Sequence, residues 1–150
     1  MENSQKVVIG MEIGGTNVKV AIAPLYNDVN QIKDMITSGN IKIKELKTRK
    51  NPFETVKEIT SYIYKDSDIN SDQIEKVYIS NFGPIELNKK SRDYGMILNT
   101  PKLGWKDFNV VKTFAEYLKI SPEQVIVDLD VSCAAFLELK LGNHRYNNFI

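Results

Sequence analysis

The chain has 150 residues, 42% of them hydrophobic and 26% charged, which are the values of a folded globular chain rather than a fibrous or disordered one. Lys plus Arg number 20 and Asp plus Glu 19, so the net charge of +1 gives no electrostatic reason for nucleic acid or an anionic membrane as partner. One cysteine, Cys133, rules out an internal disulfide framework. The polar start MENSQK and the apolar run broken at Glu12 and Gly14 read as a cytoplasmic chain without signal peptide or membrane span.

Residues 6–12 (KVVIGME) form a short β-branched run before Gly14-Gly15 and predict a buried strand. Residues 17–23 (NVKVAIA) alternate and predict a second strand; a glycine pair between two such runs signals a tight hairpin. Residues 41–46 (IKIKEL) alternate with lysines and a glutamate outward, which predicts a third strand with one solvated face. Asn51-Pro52 then opens a helix, asparagine at the cap and proline at the first helical position, with Val56, Ile59 and Ile63 on one face. Residues 65–72 are a polar loop and 74–79 a strand. Residues 80–107, rich in Gly, Pro and Asn, are longer than compact domains leave structureless, so a binding loop or small hairpin is expected there. Val111, Phe114 and Leu118 predict a helix, residues 125–127 a strand, and residues 131–141 a helix closed by Gly142. This order predicts an α/β domain whose sheet mixes antiparallel and parallel strands.

Residues 10–16 (GMEIGGT) admit several readings. A dinucleotide-binding fingerprint needs three spaced glycines and a helix directly after them, and here the spacing fails and a strand follows. A P-loop needs a lysine before its hydroxyl residue; Gly10, Gly15 and Thr16 have the spacing but the lysine is absent. A structural hairpin without ligand stays open. So does a phosphate turn, in which Gly14, Gly15 and Thr16 offer N–H groups and a hydroxyl to phosphate oxygens. Glu12 is then placed to hold Mg²⁺ directly or through water, with Lys19 in the second strand.

Residues 12–22 (EIGGTNVKVAI) resemble the first phosphate motif of the sugar-kinase, Hsp70 and actin superfamily, in which an acidic residue precedes Gly-Gly-Thr. Glutamate at that position is similar to the fructokinase branch of the repressor/open-reading-frame/kinase (ROK) family. Residues 79–105 (ISNFGPIELNKKSRDYGMILNTPKLGW) resemble the Ser-Phe-Gly-Pro loop of fructokinases and its Asn-Thr-Pro-Lys-x-Gly-Trp continuation. Residues 127–138 (VDLDVSCAAFLE) resemble the segment that holds the family's catalytic aspartate. The three segments occur in family order and together run through nearly the whole chain.

The resemblance implies a ribonuclease-H-like (actin-like ATPase) α/β fold, a mixed sheet flanked by helices, with residues 1–150 as the single N-terminal lobe and the C-terminal lobe lying outside this chain. It implies ATP-dependent phosphorylation of a hexose, fructose to fructose 6-phosphate, with ATP and Mg²⁺ required. Asp130 would be the catalytic base, and Glu12, Gly14, Gly15, Thr16 and Lys19 would hold the ATP phosphates and Mg²⁺. Gly83, Pro84, Asn99 and Thr100 would face the sugar. Simpler roles stand beside these: a helix N-cap for Asp130 and plain turn chemistry for Asn99 and Thr100. Asp128 reads as a strand-end acid, Trp105 as a core or loop anchor, Cys133 as packing and His144 as a surface residue. Leu129 and Ser132 depart from the family pattern, which usually has a polar residue before the aspartate and an asparagine two residues after it. The family's zinc site, where there is one, would lie in the C-terminal half, and association with a C-terminal lobe or a second copy is expected. A repressor reading is disfavoured because no helix-turn-helix precedes residue 7. The alternative from another class is a non-catalytic remnant that folds and binds sugar or a kinase partner without turnover.

Overall fold

Two apolar runs on either side of Gly14-Gly15 fold back on each other, as their alternation predicts. Strand β1 (Val7–Ile13) pairs antiparallel with β2 (Asn17–Pro24), from Val7 opposite Pro24 to Ile13 opposite Val18. The chain continues through helix α1 (Val29–Thr37) into β3 (Ile43–Lys47), which pairs antiparallel with the outer side of β2. Helix α2 (Pro52–Ser61) leads to β4 (Ile74–Asn81), parallel to β1, and α3 (Val110–Leu118) leads to β5 (Val125–Leu129), parallel to β4. The sheet order β3-β2-β1-β4-β5, three strands antiparallel and two added parallel, is the ribonuclease-H-like (actin-like ATPase) arrangement. The computed structural model describes residues 5–25, 29–38 and 43–129.

One face of the sheet carries the core. Val7, Ile9, Met11 and Ile13 alternate inward from β1, joined by Val18, Val20, Val77, Ile79, Val125 and Val127. Val56, Ile59 and Ile63 cover them from the α2 side, and Phe114 and Leu118 from α3. Each fully buried aliphatic side chain of this kind contributes about 1.5–3 kcal/mol relative to exposure. Two helices open on asparagine caps, the one expected at Asn51 and one at Asn109. The Asn51 side chain accepts from the Phe53 N–H with Pro52 at the first turn, and the Asn109 side chain accepts from the Lys112 N–H. Such caps contribute about 1 kcal/mol apiece. After Ser61 the helix widens into a π turn over Tyr62–Asp66, which keeps Ile63 buried. There Tyr64 donates to the Leu118 carbonyl, and burial pushes its phenol up.

Two elements, α1 and β3, differ from the sequence reading. No element is expected over residues 24–40, and α1 occupies part of them; Ile32, Met35 and Ile36 at helical spacing are the signal for it. Strand β3 is exposed along most of its length, with Ile43 at 64%, because it lies at the sheet edge where only Leu46 reaches the core. The long segment after β4 is ordered by short bridges, Ile85 with Ile97 and Met96 with Asn109, and Ile97 is fully buried. In that segment the Tyr94 hydroxyl accepts from the Val127 N–H at 3.1 Å and donates to the Val127 carbonyl at 3.3 Å, clasping β5. The helix expected over residues 131–141 lies outside the described residues, as do residues 41–42. Among the described residues no helix is long and apolar enough to cross a membrane.

Candidate functional site

The site is set by where strands end. Register places Ile13 beside Asn81 and Asn81 beside Leu129, so β1, β4 and β5 finish level with one another. From that common edge leave two of the segments singled out in the sequence, the glycine turn after Ile13 and the Gly83-Pro84 turn after Asn81 and Phe82, and β5 ends there at Leu129. Ligands of open α/β sheets gather outside the carboxyl ends of the parallel strands, and this edge is that end.

The glycine turn is tight and open on one side. The Gly14 N–H donates to the Asn17 carbonyl at 2.9 Å. From the far side Thr48 braces it, its N–H donating to the Thr16 carbonyl at 2.9 Å and its hydroxyl to the Gly14 carbonyl at 2.7 Å. Gly15 and Thr16 are exposed, and a methyl group added at Gly15 would meet no atom within 4 Å. The N–H groups of Gly15 and Thr16 and the Thr16 hydroxyl have no acceptor among the described residues. Free donors around open space are what an oxyanion needs.

A polar row crosses the sheet just below. Lys19 pairs with Glu12 across the hairpin, Glu12 with Ser80 on β4, and Ser80 with Asp128 on β5. Paired residues share a face, and this one is opposite the core face, so Lys19, Glu12, Ser80 and Asp128 lie along one line. Glu12 and Lys19 are exposed, and no ion pair joins them among the described residues. Asp128 turns back to its own chain, its Oδ1 accepting from the Leu129 N–H at 2.7 Å. The exposed Glu12 carboxylate, close in the chain to the free N–H groups of Gly15 and Thr16, is a hard oxygen ligand of the kind Mg²⁺ takes, so the residues present fit that ion.

On the side expected to face a sugar the arrangement is more crowded. The Gly83-Pro84 peptide is cis, and a methyl group on Gly83 would stand 2.4 Å from Leu129 Cδ2. The leucine that departs from the family pattern therefore packs directly on the glycine expected to face a sugar. Asn99 is exposed, while the Thr100 hydroxyl accepts from the Lys102 N–H at 3.3 Å, so the turn role expected for Thr100 is present. Trp105 is fully buried, as its anchor role requires: its Nε1 donates to the Arg49 carbonyl at 2.9 Å, and its ring lies 5.2 Å from Phe82 and 5.4 Å from Phe108. Asp130, Ser132, Cys133 and His144 lie outside the described residues.

Two residues escaped the sequence reading. Lys102, in the loop that carries Thr100, reaches across 87 positions and its ammonium donates to the Gly15 carbonyl. Asn81 ends β4 in an inward position; its Nδ2 donates to the Phe82 carbonyl, and its fully buried Oδ1 has no hydrogen-bond partner. A polar residue on the inward beat of Val77, Ile79, Asn81 was the available signal for the second. For the first the signal was the lysine of the Asn-Thr-Pro-Lys-x-Gly-Trp segment; its contact with Gly15 depends on how two distant loops meet.

Comparison with known proteins agrees with this architecture. The family model described as ROK family matches residues 8–150. A fructokinase of Lactococcus lactis subsp. cremoris is 30% identical over 131 residues, covering 87% of this chain and 38% of that protein. A putative fructokinase of Bacillus subtilis (strain 168) is 31% identical over 136 residues, covering 91% and 38%. The chain thus spans about two fifths of the length of these relatives. Among solved structures, a ROK family glucokinase from Streptomyces griseus, in complex with glucose and AMPPNP, superposes with a TM-score of 0.64 at 20% identity. That match covers 91% of this chain and 37% of the glucokinase, and it shows the shared fold.

Proposed function

The chain belongs to the ROK family, and from that premise we propose that residues 1–150 form the N-terminal lobe of a two-lobed sugar kinase that transfers the γ-phosphoryl group of ATP to the 6-hydroxyl of fructose. The observation that carries the reading is the convergence at one sheet edge of the free donors of Gly15 and Thr16, the Gly83-Pro84 turn and the end of β5. The fructokinase relatives and the glucose- and AMPPNP-bound glucokinase support the substrate classes.

In this reading Gly14 shapes the turn and Gly15 and Thr16 donate to phosphate oxygens, while Lys19 adds positive charge. Glu12 holds Mg²⁺ directly or through water, and the ion, when bound, neutralises phosphate charge. Gly83, Pro84, Asn99 and Thr100 line the hexose side, and Asp130 takes the proton of the attacking hydroxyl. Phosphoryl transfer asks little covalent chemistry of the protein, so positioning and charge do most of the work. The second lobe closes over the nucleotide and excludes water. Leu129 against Gly83 bears on sugar affinity and selectivity, because leucine offers nothing to a hydroxyl; the rival reading is a lobe that folds and binds sugar or a kinase partner without turnover.

Coupled ADP release, measured with fructose, glucose, mannose and N-acetylated sugars, separates the two. The chain alone should be inert. Joined to the C-terminal lobe of a ROK fructokinase it should release ADP with fructose preferred, and Asp130→Asn should lower kcat by about 10²–10⁴-fold. Absence of sugar-dependent release from the joined protein, or a full rate in the Asp130→Asn variant, would sink the enzymatic reading.

A further inference from the structure

Donors crowd the glycine turn without acceptors to meet them. The Gly15 and Thr16 N–H groups and the Thr16 hydroxyl have no acceptor among the described residues, and the space over Gly15 is open. The Gly15 carbonyl oxygen by itself would repel an anion entering that space. The Lys102 ammonium donates to this oxygen, reversing the sign of the local charge, and it has two further N–H bonds to give.

This lysine is not a loosely held surface cation. Its own N–H is fixed by the Thr100 hydroxyl, and three residues on Trp105 is anchored to the Arg49 carbonyl. Between them Gly104 lies so close to Lys50 that a methyl group there would stand 2.3 Å from the Lys50 carbonyl oxygen. Residues 48–50 in turn adjoin the glycine turn through Thr48. Loop 99–105 is thus bolted to the same short segment that braces the turn, which fixes where Lys102 can reach.

We propose that Lys102 is a phosphate-binding residue of this turn. It supplies a cation at the turn itself, in addition to Lys19 on β2, and it engages the terminal phosphate of a nucleoside triphosphate. The inference rests on the reading of the turn as a nucleotide-phosphate site. The terminal phosphate is assigned because Lys102 extends from the segment of Asn99 and Thr100, and so approaches from the acceptor side of the site.

Calorimetric titration of the protein with Mg²⁺-ATP, Mg²⁺-ADP and tripolyphosphate tests it, using Lys102→Gln, Lys102→Arg and, as a control, the exposed Lys106→Gln. Losing one charge-assisted bond should weaken ATP and tripolyphosphate about tenfold. ADP should be nearly unaffected, arginine should restore most of the loss, and Lys106→Gln should match the unaltered protein. Trp105, the chain's one tryptophan, reports whether loop 99–105 keeps its place. If its emission shifts in Lys102→Gln, the arginine variant decides: restored ATP affinity supports the proposal, and unrestored affinity overturns it. Equal losses for ATP and ADP would mean that Lys102 only braces the turn, which also overturns it. Binding that survives Lys102→Gln sinks the inference alone. No phosphate binding by the unaltered protein sinks the reading of the turn together with it.

Discussion

A methyl group placed on Gly15 meets nothing within 4 Å, whereas one on Gly104 would stand 2.3 Å from a backbone oxygen and one on Gly83 2.4 Å from a leucine methyl. The glycine turn and the 80–109 segment therefore use the same residue for opposite ends. In the first, glycine keeps a surface bare so that N–H groups face outward. In the second, it lets two pieces of protein touch. A glycine in a sequence motif carries no label saying which of these it does, and the difference separates a binding surface from the scaffold that holds it.

The contrast predicts a graded set of responses to alanine. Gly104→Ala should be the most damaging to stability. The position has φ +87 and the obstructing atom is backbone, so strain and overpacking together should cost about 3 kcal/mol. Thermal unfolding should show it as a drop of many degrees, and an unchanged Tm would mean that loop 99–105 does not sit against Lys50. Gly83→Ala should come next, at about 1–3 kcal/mol, because its obstacle is the end of a leucine side chain that can yield. Pairing it with Leu129→Ala should recover part of the loss, and strict additivity of the two would argue against their contact. Gly15→Ala should leave stability within about 0.5 kcal/mol, as exposed substitutions do. Its Cβ would project into the space offered to phosphate, so titration with Mg²⁺-ATP should weaken while the melting curve stays put. A destabilised Gly15→Ala would erase the distinction.

Much of the scaffold could be read from local sequence. The hairpin follows from two alternating runs about a glycine pair, and α2 follows from Asn51-Pro52 with Val56, Ile59 and Ile63 behind it. These signals act within a few residues, where propensity and periodicity decide. The site itself was legible only in parts. Its turns were visible as motifs, but their convergence depends on Ile13, Asn81 and Leu129 falling level across three strands far apart in the chain. The same holds for Lys102 on Gly15 and for Leu129 on Gly83. Leu129 was noticed as an apolar residue where a polar one was expected, yet nothing local says that it fills the space over a particular glycine. Strand β3 failed in the other direction: alternation implied a covered face, and position at the sheet edge left Ile43 bare.

The Tyr94 hydroxyl on Val127 has a bearing on how the chain survives before it meets any ligand. Among the described strands β5 is an outer one, and a residue of a parallel strand turns both its polar backbone groups to the same side. The phenol occupies both groups of Val127 at once, so a foreign strand arriving at that margin finds no free N–H or carbonyl there to copy. The opposite margin, β3, relies instead on Lys44, Glu45 and Lys47, whose charges repel stacking. One border of the sheet is shut by a bond and the other guarded by charge. Removing the single Tyr94 oxygen would therefore open a seam for aggregation along the strand that leads to residue 130.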